Sequence, residues 1–168
     1  MFREMRRKKQ QLNDTENRKI LERNTTGVLS MIGDDGYPYG IPLNYVLIDD
    51  YIYFHGAKTG HKIDSIRKNE KVSFTVVDLD RNIPEKFTTY FKSLIIFGHA
   101  DIVSDDNEKR IAVTKLADKF SPNEPIEERE AEINREWKAL SVIRLSPVHM
   151  TGKQAIELVT CNEEKDAK

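Results

Sequence analysis

Apolar residues along this chain come in short extended runs divided by turn signals, and six of these runs read as strands. Residues 27–32 form the first. The Asp34-Asp35-Gly36 turn leads into a second extended run over residues 39–48, which predicts a hairpin. Asp49-Asp50 is another tight turn, and it opens onto Tyr51-Ile52-Tyr53-Phe54, whose aromatic and β-branched side chains predict a buried strand over 51–55. Residues 71–77 form the fourth run, and 79–86, with Pro84, read as a polar loop. A long apolar strand over 88–103 centres on Leu94-Ile95-Ile96-Phe97, with Gly98 as a bulge or bend, and residues 141–150 form the last.

Helical spacing appears between these runs. Asn13, followed three residues later by Glu16, is an Asn form of the capping box and starts a short helix that turns Ile20 and Leu21 inward and ends near Asn24. Residues 61–69 form a second. Ser104-Asp105-Asp106 caps a third that runs to Phe120, with Ile111, Leu116 and Phe120 on a core-facing stripe. After the Ser121-Pro122-Asn123-Glu124-Pro125 loop, residues 127–140 read as a charged helix with Ile133, Trp137 and Leu140 inward, Trp137 for packing. The pattern lacks the β-α-β alternation of a parallel sheet. It predicts a mainly β fold with peripheral helices, a small six-stranded antiparallel barrel.

Composition narrows the partners more than the fold. The 168 residues suit one domain that gains from dimerisation, and a net charge of −1 provides no whole-protein field for nucleic acid. The basic start Arg3-Glu4-Met5-Arg6-Arg7-Lys8-Lys9 lacks a following apolar segment, and no run reaches bilayer-spanning length, which predicts neither secretion nor membrane insertion. That arm reads as solvated or as lying on a partner subunit. The single cysteine, Cys161, stands in a polar tail, excludes an internal disulfide and fits a cytoplasmic protein.

Candidate chemistry concentrates in His55-Gly56-Ala57-Lys58-Thr59-Gly60-His61-Lys62. An apolar strand runs into a loop with two glycines, then into a helix whose first N–H groups are free. Lys58, Thr59, His61 and Lys62 add side-chain donors, so the segment reads either as a plain connection or as a phosphate site. It matches neither the nucleotide-triphosphate loop nor the dinucleotide fingerprint. Pro42 cannot donate to a ladder, which places its strand at a sheet edge with free backbone groups, and Leu43, Tyr45 and Phe54 are candidate apolar walls.

Taken in order, Gly40-Ile41-Pro42-Leu43-Asn44-Tyr45, then Tyr53-Phe54-His55-Gly56-Ala57 with Gly60 and Lys62, then Asn69-Glu70-Lys71-Val72-Ser73-Phe74 resemble the FMN-binding split barrels related to pyridoxamine 5′-phosphate oxidase. Lys92-Ser93-Leu94-Ile95-Ile96-Phe97-Gly98-His99-Ala100, Glu108-Lys109 and Thr151-Gly152-Lys153 look like the nitroimidazole-resistance branch of that superfamily. The resemblance covers about residues 3–153. It divides the chain into a single domain over 1–153, with the basic arm, and an extension and polar tail over 154–168.

The resemblance implies FMN, with FAD also open, held between the subunits of a homodimer. Its cofactor-binding positions fall on Pro42, Leu43, Asn44 and Tyr45, on His55, Gly56 and Ala57, on Gly60, His61 and Lys62, and on Ser93, whose other reading is a strand-end hydroxyl. Arg144-Leu145-Ser146-Pro147 looks like the oxidase's C-terminal motif but continues as strand and reads as structural; no second basic cluster serves a substrate phosphate, which argues against vitamin B6 oxidation. The implied activity is reduction of a small electron-poor compound, a nitroimidazole in that branch, by electrons from a reduced nicotinamide or another donor. His55 is the candidate proton donor, or else a structural hydrogen-bonding group. A non-catalytic flavin- or haem-binding module is the alternative, with no diagnostic axial-ligand pattern among His55, His61, His99 and His149 and no metal site predicted.

Overall fold

A computed structural model describes residues 2–159; Cys161 and the rest of the polar tail lie outside the described residues. Strands β1 (Thr26–Ile32), β2 (Pro38–Asn44), β3 (Val46–Ile48), β4 (Tyr51–Ala57), β5 (Lys71–Ile83), β6 (Thr88–Ile102) and β7 (Leu140–Gln154) make one sheet in the order β2-β1-β5-β6-β7-β4-β3. Every pairing is antiparallel. The sheet curls into a split barrel of seven strands rather than six. Around it stand α1 (Asp14–Arg23), α2 (His61–Lys68), α3 (Asp106–Phe120) and α4 (Ile126–Glu136).

The extra strand comes from a break at Tyr45. Its N–H donates to the Thr25 carbonyl and its hydroxyl to the Leu21 carbonyl, so the side chain is drawn wholly inside and the extended run divides into β2 and β3. Tyr45 and Phe54 both meet Phe74 edge-on at ring-centre separations of 5.1 and 5.0 Å, contacts worth about 0.5–1.5 kcal/mol each beyond the area they bury. Both are fully buried, which removes them as walls of a ligand site.

Two cores share the sheet. Leu29, Phe54, Phe74, Leu94 and Ile96 fill the barrel, while Tyr53, Val113, Leu116, Ile133 and Val142 join α3 and α4 to the outer face of β4 and β7. The caps are those the sequence predicts: the Asn13 side chain accepts from the Glu16 N–H at 2.8 Å, and Asp105 from the Glu108 N–H. Gly98 lies at a register shift between β6 and β7. Three details differ. β5 continues through the segment expected as loop to Ile83, because residues 79–83 pair with Thr88 to Lys92 in a two-stranded arm; Ile111 points to solvent, since it stands off the stripe made by Ala112, Val113 and Leu116; and Leu140 begins β7, with α4 ending at Glu136.

Candidate functional site

β4 alternates at its end. Phe54 points into the barrel, His55 points outward, and Gly56 returns to the inward face. The Lys62 ammonium fills the space that a side chain at Gly56 would need: a β-carbon there would stand 2.8 Å from Nζ. Gly60 makes this possible, since its φ of 120° turns the loop back and its carbonyl accepts from the Ile63 and Asp64 N–H groups to start α2. The backbone N–H groups of His61 and Lys62, in the first turn, have no carbonyl inside the helix to bond.

Charge completes the geometry. Burial pushes the Lys62 ammonium below its ordinary pKa, and no ion pair to Lys62 forms among the described residues. Burial of the His55 ring, and secondarily the Lys62 charge, hold the imidazole below its ordinary value. Two half-desolvated basic groups at one strand end, beside free helix N–H groups, form a place where an anion is favoured.

The remaining candidate residues are distributed as follows. The His61 ring stacks on Tyr39 at 4.2 Å and lies against Asp34 (Nε2–Oδ2 3.7 Å), at the β1–β2 turn; its imidazole is occupied there, leaving its backbone N–H to the loop. Pro42 and Asn44 are exposed on β2, an edge strand as expected, and the Asn44 side chain bonds the Thr26 hydroxyl at 2.9 Å. Leu43 packs against the barrel core, and Ala57 is exposed opposite Leu140.

Ser93 sits between Val77 and Lys153, two strands from β1, on the outer face with Ile95 and Phe97. Val28, Val77, Ile95 and Phe97 are each at least 40% exposed there, an apolar surface that strand periodicity alone would have revealed. The basic arm begins on this face as well: Phe2 stacks on His149 at 4.6 Å and on Phe97 at 5.4 Å. Arg144, in the Arg-Leu-Ser-Pro segment, is held by Asp101 and Glu108, a structural role. Among the described residues no helix is long and apolar enough to cross a membrane.

Sequence reading missed one component. Asn44 and His55 stand at a cavity whose other walls come from α3, α4 and the start of β7. Residues so far apart in the chain carry no local signal of their meeting; only the outward register of His55, opposite a helix with an apolar stripe, pointed that way.

Comparison with known proteins agrees with this fold. The family model described as pyridoxamine 5′-phosphate oxidase matches residues 13–154. A candidate 5-nitroimidazole antibiotic resistance protein from Bacteroides thetaiotaomicron has the same fold, with a TM-score of 0.73 at 19% identity over 86% of each chain. A FAD-binding protein from Mesorhizobium loti superposes with a TM-score of 0.61 at 24% identity over 86% of this chain and 96% of that one. A FAD and heme binding protein from Mycobacterium smegmatis gives 0.71 at 18% over 88% and 73%. A comparison with curated proteins finds no match.

Proposed function

The chain belongs to the pyridoxamine 5′-phosphate oxidase family, and from that premise we propose that it binds a flavin, FMN in first place, and reduces a small electron-poor acceptor with electrons from a reduced nicotinamide or another donor. The observation that carries this reading is the Lys62 ammonium seated over Gly56 beside the first N–H groups of α2. One cation and one helix N-terminus answer one phosphate, which favours FMN over FAD. Neighbours described as FAD-binding support a flavin, and the neighbour linked to 5-nitroimidazole resistance supports a nitro compound as acceptor.

FMN, when bound, supplies the electron transfer itself. Lys62 and the α2 N–H groups hold its phosphate, while the exposed backbone and side chains of Pro42 and Asn44 on the β2 edge serve its ring. Burial, and secondarily the Lys62 charge, hold the His55 imidazole below its ordinary pKa while Lys62 is uncompensated. A phosphate on Lys62 cancels that charge, raises the imidazole toward its ordinary pKa and readies a proton at a ring nitrogen for the acceptor.

A homodimer belongs to this reading. The apolar outer face of β1, β5 and β6 is the surface we assign to a second copy, and Ser93 on it would then reach the partner's flavin. Mass spectrometry of the small molecule released on denaturation, with an absorption spectrum before and after a reductant, tests the proposal. FMN and a bleaching yellow spectrum support it; a haem band, or a colourless protein that takes up no flavin, overturns it.

A further inference from the structure

Between α3, α4 and the outer face of β4 lies a cavity of about 260 Å³. Its walls are apolar, built from Val113, Leu116 and Ile133 among others, all three buried. Its polar groups come from two sources: Asn44 and His55 on the strands, and Glu132 and Glu136 on α4. The volume lies below the usual range for ligand pockets, about 300–1,000 Å³, and suits a single ring with short substituents.

The two carboxylates are one helical turn apart and share a single counter-charge. Arg135 bonds Glu132 through Nη2 at 2.5 Å and Glu136 through Nε at 3.4 Å, which leaves the pair with a net negative charge. Neither is needed by the fold, because both are solvent-exposed. An apolar slot with an imidazole and an amide on its strand side and carboxylates on its helical side distinguishes ligands by charge as well as by size.

We propose that this cavity is the acceptor's binding pocket, and that Glu132 and Glu136 make it select compact single-ring compounds with a basic amine over neutral and, above all, anionic ones. The inference rests on the oxidoreductase reading and names the acceptor class for the same site: a one-ring electron-poor amine whose electron-accepting group meets His55 and Asn44.

Binding is measured directly, without turnover. Para-nitrobenzylamine, para-nitrobenzyl alcohol and para-nitrobenzoate, similar in size and differing in charge, are titrated into the purified protein at low salt, with its flavin content recorded, while the methyl signals of Leu116 and Ile133 are followed by NMR. The amine binds roughly two- to fivefold tighter than the alcohol, the benzoate binds weakest, and the preference shrinks at high salt. Glu132→Gln with Glu136→Gln levels the amine and the alcohol. Ala117→Phe, which fills the slot, weakens all three probes while FMN affinity holds. Equal affinities for amine and alcohol in the parent protein, or binding that leaves the Leu116 and Ile133 methyls unmoved, overturn the proposal. Charge-selective binding in a protein that rejects FMN would leave the pocket standing and remove the flavin reading, so the two fail separately.

Discussion

The Lys62 ammonium occupies the place of the side chain that Gly56 lacks, with 2.8 Å between Nζ and the point where a β-carbon would stand. A glycine at this position therefore serves a neighbour's side chain. Lys62→Ala is expected to lose about 1.5–3 kcal/mol of FMN binding, roughly ten- to a hundredfold, and Gly56→Ala a smaller amount in the same direction, because the alanine methyl displaces a flexible ammonium and leaves the backbone in place. Riboflavin, without a phosphate, binds all three proteins alike. Fluorescence titration reads both ligands, and unchanged FMN affinity in Lys62→Ala would sink the phosphate assignment.

His55 reports the charge on its neighbour. Burial and the Lys62 charge depress its pKa in the folded chain, so in the apoprotein this group costs stability as pH falls through the ordinary imidazole range and has no effect above it. Removing the charge with Lys62→Ala, or compensating it with FMN, raises the imidazole pKa. Ring-proton NMR against pH follows the change directly. A titration curve identical in all three states would separate His55 from the site.

Catalysis gives His55 a second test. His55→Gln keeps a hydrogen-bonding side chain of similar size and removes the titrating group, so flavin occupancy holds while turnover with a nitroaromatic acceptor falls by about 10²–10⁴. Normal turnover per bound flavin would assign the ring a structural role only.

Asp78 fastens α1 to the sheet. Its burial alone would raise the carboxyl, but two hydrogen bonds from Arg23 at 2.6 Å and one from Asn24 at 2.7 Å, with the Arg23 charge, hold it below the ordinary aspartate range. A depressed carboxyl contributes stability above its unfolded pKa and loses it as pH falls through the folded value. Asp78→Asn is expected to cost about 1–3 kcal/mol near neutral pH and to flatten the acid side of the stability curve. Urea unfolding at several pH values measures both; an unaltered acid limb would place the acid sensitivity elsewhere.

The apolar outer face makes its own prediction. Val77 is 60% exposed in the single chain, so Val77→Glu is expected to leave the fold intact and, on the proposed dimer with its shared site, to weaken self-association and release flavin more readily on dilution. Sedimentation velocity with and without FMN decides. A parent chain that stays monomeric with flavin fully bound would rule out a shared site.

What could be read from the chain alone follows a physical division. The Asn13 cap, the Gly98 bulge and the Asp49 turn, with its φ of 53°, are local devices written in adjacent residues, and all appear where expected. Asp80, Arg81 and Asn82 looked like loop because both faces of the β5–β6 arm meet solvent, so apolar alternation is absent although the ladder continues. The burial of Tyr45 is hidden for the opposite reason: a tyrosine reads as an amphipathic wall until a tertiary partner, here the Leu21 carbonyl, is found for its hydroxyl. The loop around Gly56 and Lys62 was legible as a motif. The cavity beside His55 was not, because its walls come from five separate elements.

The pairing of β4 with β7 has a consequence for the order in which the molecule is made. His55 is held in register opposite Val142, and Gly56 opposite Ser141, so the strand that ends in the loop is fixed by residues synthesised long after it. β1 with β2, and β5 with β6, close between neighbours and form early; among the strand pairings the β4–β7 contact joins the residues farthest apart in the chain and bears the largest loop-closure cost. A nascent chain paused before residue 140 would thus carry the whole glycine-lysine motif and still have no site, which makes cofactor capture a late event that reports completion of the fold.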